Sequence, residues 1–368
     1  MHNWVMVSKE QKVFLALVRA GLWEEDVQLG SYGEIDFKKV HQLAEEQSVV
    51  GLVAVGIEHV TDTRIPKDVV LSFVGQALQL EQRNKETNEF LSLLIAKLNK
   101  RKTQALLVKG QGVAQCYTRP LWRAVGDIDL LLDDENYEKA KSILIPKAYE
   151  VEKEDLVKKH LGLNIMGVVV ELHGRMPFAM SERVDWVIDS VIENSFEENG
   201  YEVWHIKDAE VLMPNPDNHV FLVFTHFLHH FFIEGVGLRQ VCDWCRMLWT
   251  HKDTLNYELL KLRLEDAGLM TEWKAFAALA VDYLGMPAEA MPMYDARFRV
   301  KGKKVLKLVL KVGNFGHNKD LSYRTRYKGV AYKAVSLWRR FVDFVKLVPI
   351  FPLDTPRFFV TYVTGKVK

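Results

Sequence analysis

The chain has 368 residues, of which 48% are hydrophobic and 26% are charged, and its formal net charge at pH 7 is +1. This composition is ordinary for a soluble globular protein, and the length exceeds the size at which one hydrophobic core usually stops growing. The balanced charge argues against a dedicated nucleic-acid-binding protein, which usually carries a basic surplus, although it is compatible with a local basic patch.

The number of cysteines and the lack of long apolar runs indicate the cellular compartment in which we expect the protein. Three cysteines, Cys116, Cys242 and Cys245, are too few for a disulfide framework in a chain of this size. The stretch from Met1 to Lys12 lacks the apolar core of a cleavable signal, and no apolar run approaches the roughly 20 residues that span a bilayer. We therefore expect a cytoplasmic protein without a membrane span.

The predicted elements divide the chain into three regions. Residues 1–100 carry apolar side chains at helical spacing and form a predicted N-terminal helical region. Residues 101–208 change to short β-type runs separated by helices, which predicts an α/β unit, and residues 209–368 return to helical periodicity as a C-terminal helical domain and tail. In the middle region, strands are predicted at 105–108, 128–132, 161–165, 168–172 and 203–206, and helices at 112–118 and 136–144, the latter capped by Asp133 or Asp134.

A pair of aspartates stands at the start of an apolar strand in the middle region. Asp127 and Asp129 flank Ile128, and because successive side chains of a strand alternate between faces, both carboxylates project from one face. An ionised carboxylate beside a core strand is expensive to desolvate unless it is paired or binds a metal. The pattern therefore predicts a divalent-cation site, and the alternative is a turn that merely ends the strand.

Three motifs follow one another in this region. They are Lys109-Gly110 at the end of a predicted strand, Arg123 through Leu131 with the aspartate pair, and Glu171-Leu172-His173 followed by Arg175. This succession resembles the nucleotidyltransferase superfamily that has a DNA polymerase β-type palm, and it is most similar to an uncharacterised bacterial nucleotidyltransferase family. The resemblance covers residues 104–175 and continues more loosely through His226, Arg239 and Asp243. One departure is Gln111, which stands where the wider superfamily usually has glycine or serine.

The resemblance implies an α+β fold in which a mixed-sheet palm is flanked by N-terminal and C-terminal helical regions. It also implies transfer of a nucleoside monophosphate from an NTP to an unknown hydroxyl-bearing acceptor, with a small molecule favoured over tRNA or protein. Two Mg²⁺ ions, for which Mn²⁺ is a substitute, would stabilise the attacking and leaving oxygens, and backbone amides after Gly110 would bind the phosphates. The implied residues are the catalytic and metal-binding Asp127, Asp129 and Glu171, the nucleotide-binding Lys109, Gly110, Gln111 and Arg123, and an acceptor pocket with His173, His226, Arg239 and Asp243.

Two other functions are compatible with the same motifs. One is a regulatory protein that keeps the palm and binds nucleotide without turnover. The other is a toxin-type nucleotidyltransferase that acts on tRNA or protein, which would suit the basic stretch from Arg297 to Lys311; the simpler interpretation of that stretch is an amphipathic helix with a solvated lysine face.

Several residues also have plain structural interpretations. Lys109 and Arg123 are equally suited to structural ion pairs, and Arg239 and Asp243 are spaced to meet on one helix. His173 is equally an ordinary hydrogen-bonded histidine. Two further patterns have metal-ligand spacing but are more typical of a helical core, namely His226 with His230 and Cys242 with Cys245. The tail from Trp338 to Lys368 is expected to pack on the helical domain or to contact a partner.

Overall fold

The computed structural model describes residues 8–319, 326 and 328–365, and within them one seven-stranded sheet is surrounded by 14 α-helices. The strands are β1 (Leu106–Leu107), β2 (Ile128–Leu131), β3 (Glu150–Val151), β4 (His160–Ile165), β5 (Val168–His173), β6 (Tyr201–Ile206) and β7 (Ala209–Pro214). The helices are α1 (Lys9–Trp23), α2 (Phe37–Glu46), α3 (Val50–Glu58), α4 (Lys67–Lys100), α5 (Gln111–Ala114), α6 (Asp134–Leu144), α7 (Glu182–Ser195), α8 (Pro216–Ile233), α9 (Leu238–Thr250), α10 (Tyr257–Ala267), α11 (Met270–Leu284), α12 (Arg299–Val312), α13 (Gly329–Leu347) and α14 (Asp354–Thr364).

The sheet is mixed, and its strand order is β3-β4-β5-β2-β1-β7-β6. Strand β2 runs parallel to β5 and antiparallel to β1, while β1 runs parallel to β7. On one side of the sheet β3, β4 and β5 are joined by antiparallel pairing, and on the other side β6 and β7 form an antiparallel hairpin. All four residues of β2 are buried, as expected for a central strand covered on both faces. The chain therefore has the α+β architecture that the resemblance implied.

The two faces of the sheet pack against different helices. Ile128 and Leu130 of β2 lie in a core with Leu94 of α4 and Tyr137 of α6. Leu131, which points the other way, belongs to a larger core that includes the phenylalanines of α8. This alternation confirms that Ile128 projects into the layer opposite to its aspartate neighbours.

Helices from before and after the sheet share the larger core. Trp23 Nε1 of α1 donates a hydrogen bond to the Leu284 carbonyl of α11 at 2.6 Å. The buried Gln47 side chain joins three segments, because its Nε2 donates to Val309 O at 3.2 Å and its Oε1 accepts from Leu238 N at 3.0 Å. The N-terminal and C-terminal helices are therefore packed on each other, and the division at residues 100 and 208 stays a prediction.

Several elements differ from the sequence-based expectation: strand β3 was not predicted, and the helix expected at 112–118 is the shorter α5. Residues 209–214 were expected to begin the C-terminal helices, but they form β7, because a tight turn at Lys207, with φ of 51°, brings them back alongside β6. An apolar run this short does not distinguish a strand from the start of a helix by its periodicity. Helix α7, which begins after the cap Ser181, was not predicted. The sheet therefore extends beyond residue 208.

The basic stretch and the tail form the remaining helices. Helix α12 buries Val305, Leu306 and Val309 and exposes Lys303 and Lys311, as expected for an amphipathic helix with a solvated lysine face. No helix in the described part of the chain is long and apolar enough to cross a membrane.

The tail packs on the helical region through aromatic side chains. Phe344 of α13 and Phe358 of α14 are buried, and the centroids of their rings lie 6.1 Å and 5.0 Å from that of Phe232. Residues 366–368 of the predicted tail lie outside the described residues.

Candidate active site

Three carboxylates converge on the face of the sheet that points toward α8. Asp129 of β2 pairs directly with Glu171 of β5, and Asp127 precedes β2 by one residue on the same face. Carboxylate oxygens of all three residues lie within 4.8 Å of one another. The Asp129 side chain is 1% exposed, whereas that of Glu171 is 25% exposed. The structure therefore brings together the three residues that the sequence predicted as metal ligands.

The Gly110 turn is held against these carboxylates. Gly110 has φ of +60°, and a Cβ at this position would lie 3.2 Å from the Asp127 carbonyl oxygen, so a side chain would be strained as well as crowded. Lys109, the preceding residue, places its Nζ 2.7 Å from Asp129 Oδ1. The helix that follows, α5, has only four residues, so a phosphate near Gly110 would meet backbone amides without a long helix dipole behind them.

Two histidines complete the polar cluster. His173 Nε2 lies 2.9 Å from Asp129 Oδ1 and 3.3 Å from Glu171 Oε2. His160 Nε2 of β4 lies 3.3 Å from the same Glu171 oxygen. Of the two, only His173 was predicted as a site residue, and it contacts the carboxylates rather than standing apart in an acceptor pocket.

Burial and neighbouring charges separate the protonation behaviour of the carboxylates. Repulsion from Asp129, followed by burial, raises the pKa of Asp127. Burial also raises the pKa of Asp129, but the charge of Lys109 and the hydrogen bond from His173 outweigh it and hold that pKa below its ordinary value. Glu171 behaves in the same way: hydrogen bonds from the two histidines outweigh its burial, so its pKa is lowered. Asp127 is therefore the carboxylate whose charge is least compensated.

Arg123, predicted to bind nucleotide, is engaged in a buried ion pair. Its Nε and Nη2 donate to the two oxygens of Asp243 at 3.0 Å and 2.7 Å, and its Nη1 donates to the Ala124 carbonyl. Tyr117 Oη donates to the same carboxylate at 2.8 Å. Both charged side chains are only 6% exposed. This is the structural ion pair that the sequence left open for Arg123, formed with Asp243 of α9.

Arg239 lies beside the carboxylates and, unlike Arg123, is not held by a carboxylate in an ion pair among the described residues. It is on the same helix as Asp243, but its Nη1 donates to the Ala124 carbonyl at 3.1 Å, and its buried Nε has no hydrogen-bond partner among the described residues. Burial and the nearby charge of Arg123 lower its pKa. A guanidinium with incomplete pairing beside Asp127 is suited to an anionic ligand.

The other predicted residues take different positions. Gln111 is buried against α4, where its Nε2 donates to Asn88 Oδ1 at 2.8 Å, so its side chain turns away from the carboxylates. His226 Nε2 lies 2.8 Å from Lys109 Nζ and 2.9 Å from His230 Nε2, and burial, followed by the charge of Lys109, holds the pKa of His226 well below its ordinary value.

Two adjacent cavities meet at Asp127. The first, of about 440 Å³, is lined by the three carboxylates, Lys109 and Gly110, and by three histidines of α8, His226, His229 and His230. The second, of about 790 Å³, has mixed apolar and polar walls from α4 and from the β4–β5 turn. The cavities share Gly126, Asp127, Arg239 and Phe315. Volumes of this size are usual for small-molecule sites.

Metal-ligand groups in the described part of the chain are confined to this site. Two groups of three potential ligands occur, Asp127 with Asp129 and Glu171, and His160 with Glu171 and His173. Cys242 and Cys245 are buried free thiols in the core. The oxygen-only group suits a hard cation such as Mg²⁺, because Mg²⁺ prefers carboxylates, waters and phosphates.

His160 was missed by the sequence analysis, although a signal for it was present. The predicted strands at 161–165 and 168–172 leave two residues between them, Met166 and Gly167, which is the length of a tight hairpin turn. Counting back from that turn pairs His160 with His173, as the structure shows. Methionine is an unusual residue for such a turn, since its φ is 54° here, and this weakens the signal.

Comparison with known proteins agrees with the motif order and the fold. A family model described as "uncharacterised nucleotidyltransferase" matches residues 33–285, which is more than half of the chain. No curated protein and no solved structure matches. The match includes the Gly110 turn, the three carboxylates, and helices α8 and α9 that close the cavity. The chain therefore belongs to this uncharacterised nucleotidyltransferase family.

Proposed function

We propose that the chain transfers a nucleoside monophosphate from an NTP to a hydroxyl group of a small-molecule acceptor, in a reaction that depends on Mg²⁺. The observation that carries the proposal is the convergence of Asp127, Asp129 and Glu171 beside the Gly110 turn in one cavity. Asp129 is paired with Lys109, and Glu171 with two histidines, whereas Asp127 has no ion pair among the described residues; a bound divalent cation would supply that missing counter-charge.

The carboxylates would hold the cations, with Asp127 and Asp129 as ligands and Glu171 completing the set. When bound, Mg²⁺ stabilises the charge that builds on the attacking and leaving oxygens. In the transfer, the acceptor oxygen forms a bond to the α-phosphorus, the bond to pyrophosphate breaks, and the hydroxyl proton leaves. We assign that proton to Asp127, which lines both cavities and whose pKa is raised by repulsion from Asp129.

The triphosphate would lie along the Gly110 turn. Gly110 allows the ligand to approach the backbone closely, and Lys109, whose side chain is 19% exposed, reaches the cavity with its ammonium group. Arg239 takes the role first predicted for Arg123, because the Arg123 guanidinium is already bound by Asp243. A nucleotide phosphate would satisfy the incompletely paired Arg239.

The acceptor would occupy the second cavity. This space begins at Asp127 and is lined by Phe90 and Val169 together with the polar Arg83 and Glu86. Such mixed walls suit a small molecule that has both an apolar part and polar groups. The bound acceptor would therefore approach the carboxylates at Asp127, which lines both cavities.

Transfer of α-labelled NTPs into fractionated cell extract tests this proposal. Label in the small-molecule fraction, with matching release of pyrophosphate, is the expected result. Label in RNA or protein would favour the toxin-type alternative, and NTP binding without pyrophosphate release would favour a regulatory protein. A variant with Asp208→Asn, an exposed position in the β6–β7 turn, is the matched control for aspartate substitutions in the site.

A further inference from the structure

We propose that His160, Glu171 and His173 form a second metal site, one that selects a cation able to accept imidazole nitrogen. This inference deepens the proposed function and rests on it, because Glu171 is shared with the group that contains Asp127 and Asp129. The chain would then hold two chemically different cations side by side.

The distances among the three side chains fit a metal site. His160 Nε2 and His173 Nε2 each lie 3.3 Å from Glu171 Oε2. In a tetrahedral site with metal–ligand bonds of about 2.0 Å, neighbouring ligand atoms are about 3.3 Å apart. The two imidazoles are tilted by 47° with centroids 4.8 Å apart, so both Nε2 atoms can face a common centre beside the carboxylate.

The backbone fixes these ligands before any cation binds. His160 and His173 are direct partners in the β4–β5 ladder, and Glu171 lies two residues before His173 on the same face of the sheet. The tight turn at Met166 and Gly167 sets this register. Ligands held on paired strands need little reorganisation to bind a metal.

The site is open to the ligand cavity. The side chains of His160 and Glu171 are 30% and 25% exposed, while that of His173 is 8% exposed and forms the inner wall. All three line the cavity that contains Asp127 and Asp129. A cation can therefore reach the site from solvent, and substrate or water can complete its coordination.

The charge and type of the ligands set the metal preference. The group of His160, Glu171 and His173 offers two imidazole nitrogens and one carboxylate oxygen, whereas the group of Asp127, Asp129 and Glu171 offers carboxylate oxygens alone, so the two groups differ in formal charge and in ligand atom. Mg²⁺ disfavours imidazole, whereas two histidines and one carboxylate are a usual set for zinc and other first-row transition metals. The second site would therefore bind Mn²⁺ or Zn²⁺ in preference to Mg²⁺.

The competing explanation is that the two histidines only donate hydrogen bonds that orient Glu171. His160→Gln separates the two explanations, because a glutamine amide can still donate to Glu171 but lacks the imidazole nitrogen. His205→Gln, at an exposed position of β6, makes the same chemical change away from the site and is the control.

Mn²⁺ binding to the full chain without nucleotide, followed by electron paramagnetic resonance, tests the inference. Bound Mn²⁺ should show spin-echo modulation from imidazole nitrogen, and His160→Gln should weaken Mn²⁺ binding at least ~10-fold while His205→Gln leaves it unchanged. Bound Mn²⁺ without nitrogen modulation, equal binding by His160→Gln, or no binding to the wild type would overturn it.

Failure of the proposed function gives a different result from failure of this inference. A protein that binds Mn²⁺ through nitrogen but releases no pyrophosphate keeps the metal site and loses the assigned activity. Nucleotide transfer by a protein that binds Mn²⁺ only through oxygen would support the proposed activity and would contradict the second metal site.

Discussion

Asp127→Asn is expected to make the metal-free protein more stable while removing its response to Mg²⁺. The Asp127 carboxylate is repelled by Asp129 and Glu171, and repulsion from Asp129 is the main cause of its raised pKa. A cation relieves this repulsion when it binds, but in the metal-free protein the charge of Asp127 opposes folding. Asparagine has nearly the same shape and lacks the charge.

The size of the effect follows from the distances in the site. Carboxylate oxygens of Asp127 and Asp129 lie within 4.8 Å of each other, and two unit charges at that separation repel by about 3.5 kcal/mol at an effective dielectric constant of about 20. Attraction to Lys109 offsets a smaller part of this repulsion, while the charge of Glu171 adds to it. We therefore expect a gain of about 1–2 kcal/mol in the free energy of unfolding.

The sign of the pH dependence is fixed by the direction of the pKa shift. At a pH above the raised folded pKa, Asp127 is ionised in both the folded and the unfolded wild-type protein, so the full gain is present there. As the pH falls through the raised folded pKa, the wild-type carboxyl becomes protonated and its penalty disappears. The stability difference between variant and wild type should therefore shrink on acidification.

Urea unfolding in the presence of a chelator, and then with Mg²⁺, measures both parts of the prediction. Mg²⁺ at about 100 times its dissociation constant should stabilise the wild type by about 2.7 kcal/mol and leave Asp127→Asn almost unchanged. Asp208→Asn should behave as the wild type throughout. An Asp127→Asn protein that is less stable than the wild type without metal, or that Mg²⁺ stabilises equally, would refute the reasoning.

Three further predictions concern the surroundings of the site. Asp243→Asn should lower the free energy of unfolding by roughly 3 kcal/mol, because the buried Arg123 loses its counter-charge; a loss in urea unfolding too small to measure would contradict the ion pair. Burial lowers the folded pKa of His219 to about 4, so the wild type loses about 3 kcal/mol in its free energy of unfolding as the pH falls from 6.5 to about 4. His219→Gln should not show this part of the loss. Equal losses in both proteins over that range, measured by urea unfolding, would be the contrary result. Arg239→Met should weaken NTP binding about 10-fold or more in calorimetry without destabilising the fold, and unchanged affinity would remove Arg239 from the phosphate site.

Local patterns in the sequence predicted the centre of the site well. The alternation around Ile128 placed both aspartates on one face, and the structure has them there with Glu171 on the neighbouring strand. This worked because the period of a strand is a local property that distant residues do not change. The α+β fold was implied by the family resemblance that the order of the motifs carries, and the seven-stranded mixed sheet agrees with it.

Long-range pairing accounts for what the sequence did not predict. Arg123 and Asp243 are 120 residues apart, and neither position indicates locally that the two side chains meet. Strand β7 depends on β1 and β6 for its partners, so its apolar run also suited the start of a helix. His160 was within reach of local reasoning through the two-residue turn, but Met166 is an unusual residue for that turn.

The central claim is tested most directly by measuring pyrophosphate release. Each protein, the wild type, Asp127→Asn or Asp208→Asn, is incubated with NTP, Mg²⁺ and a cell fraction that contains an active acceptor. The wild type and Asp208→Asn should release pyrophosphate in step with the transfer of α-label. Asp127→Asn should release none although it is at least as stable as the wild type, so that unfolding does not explain the loss. Undiminished release by Asp127→Asn would contradict the assignment of the three carboxylates as the catalytic metal site.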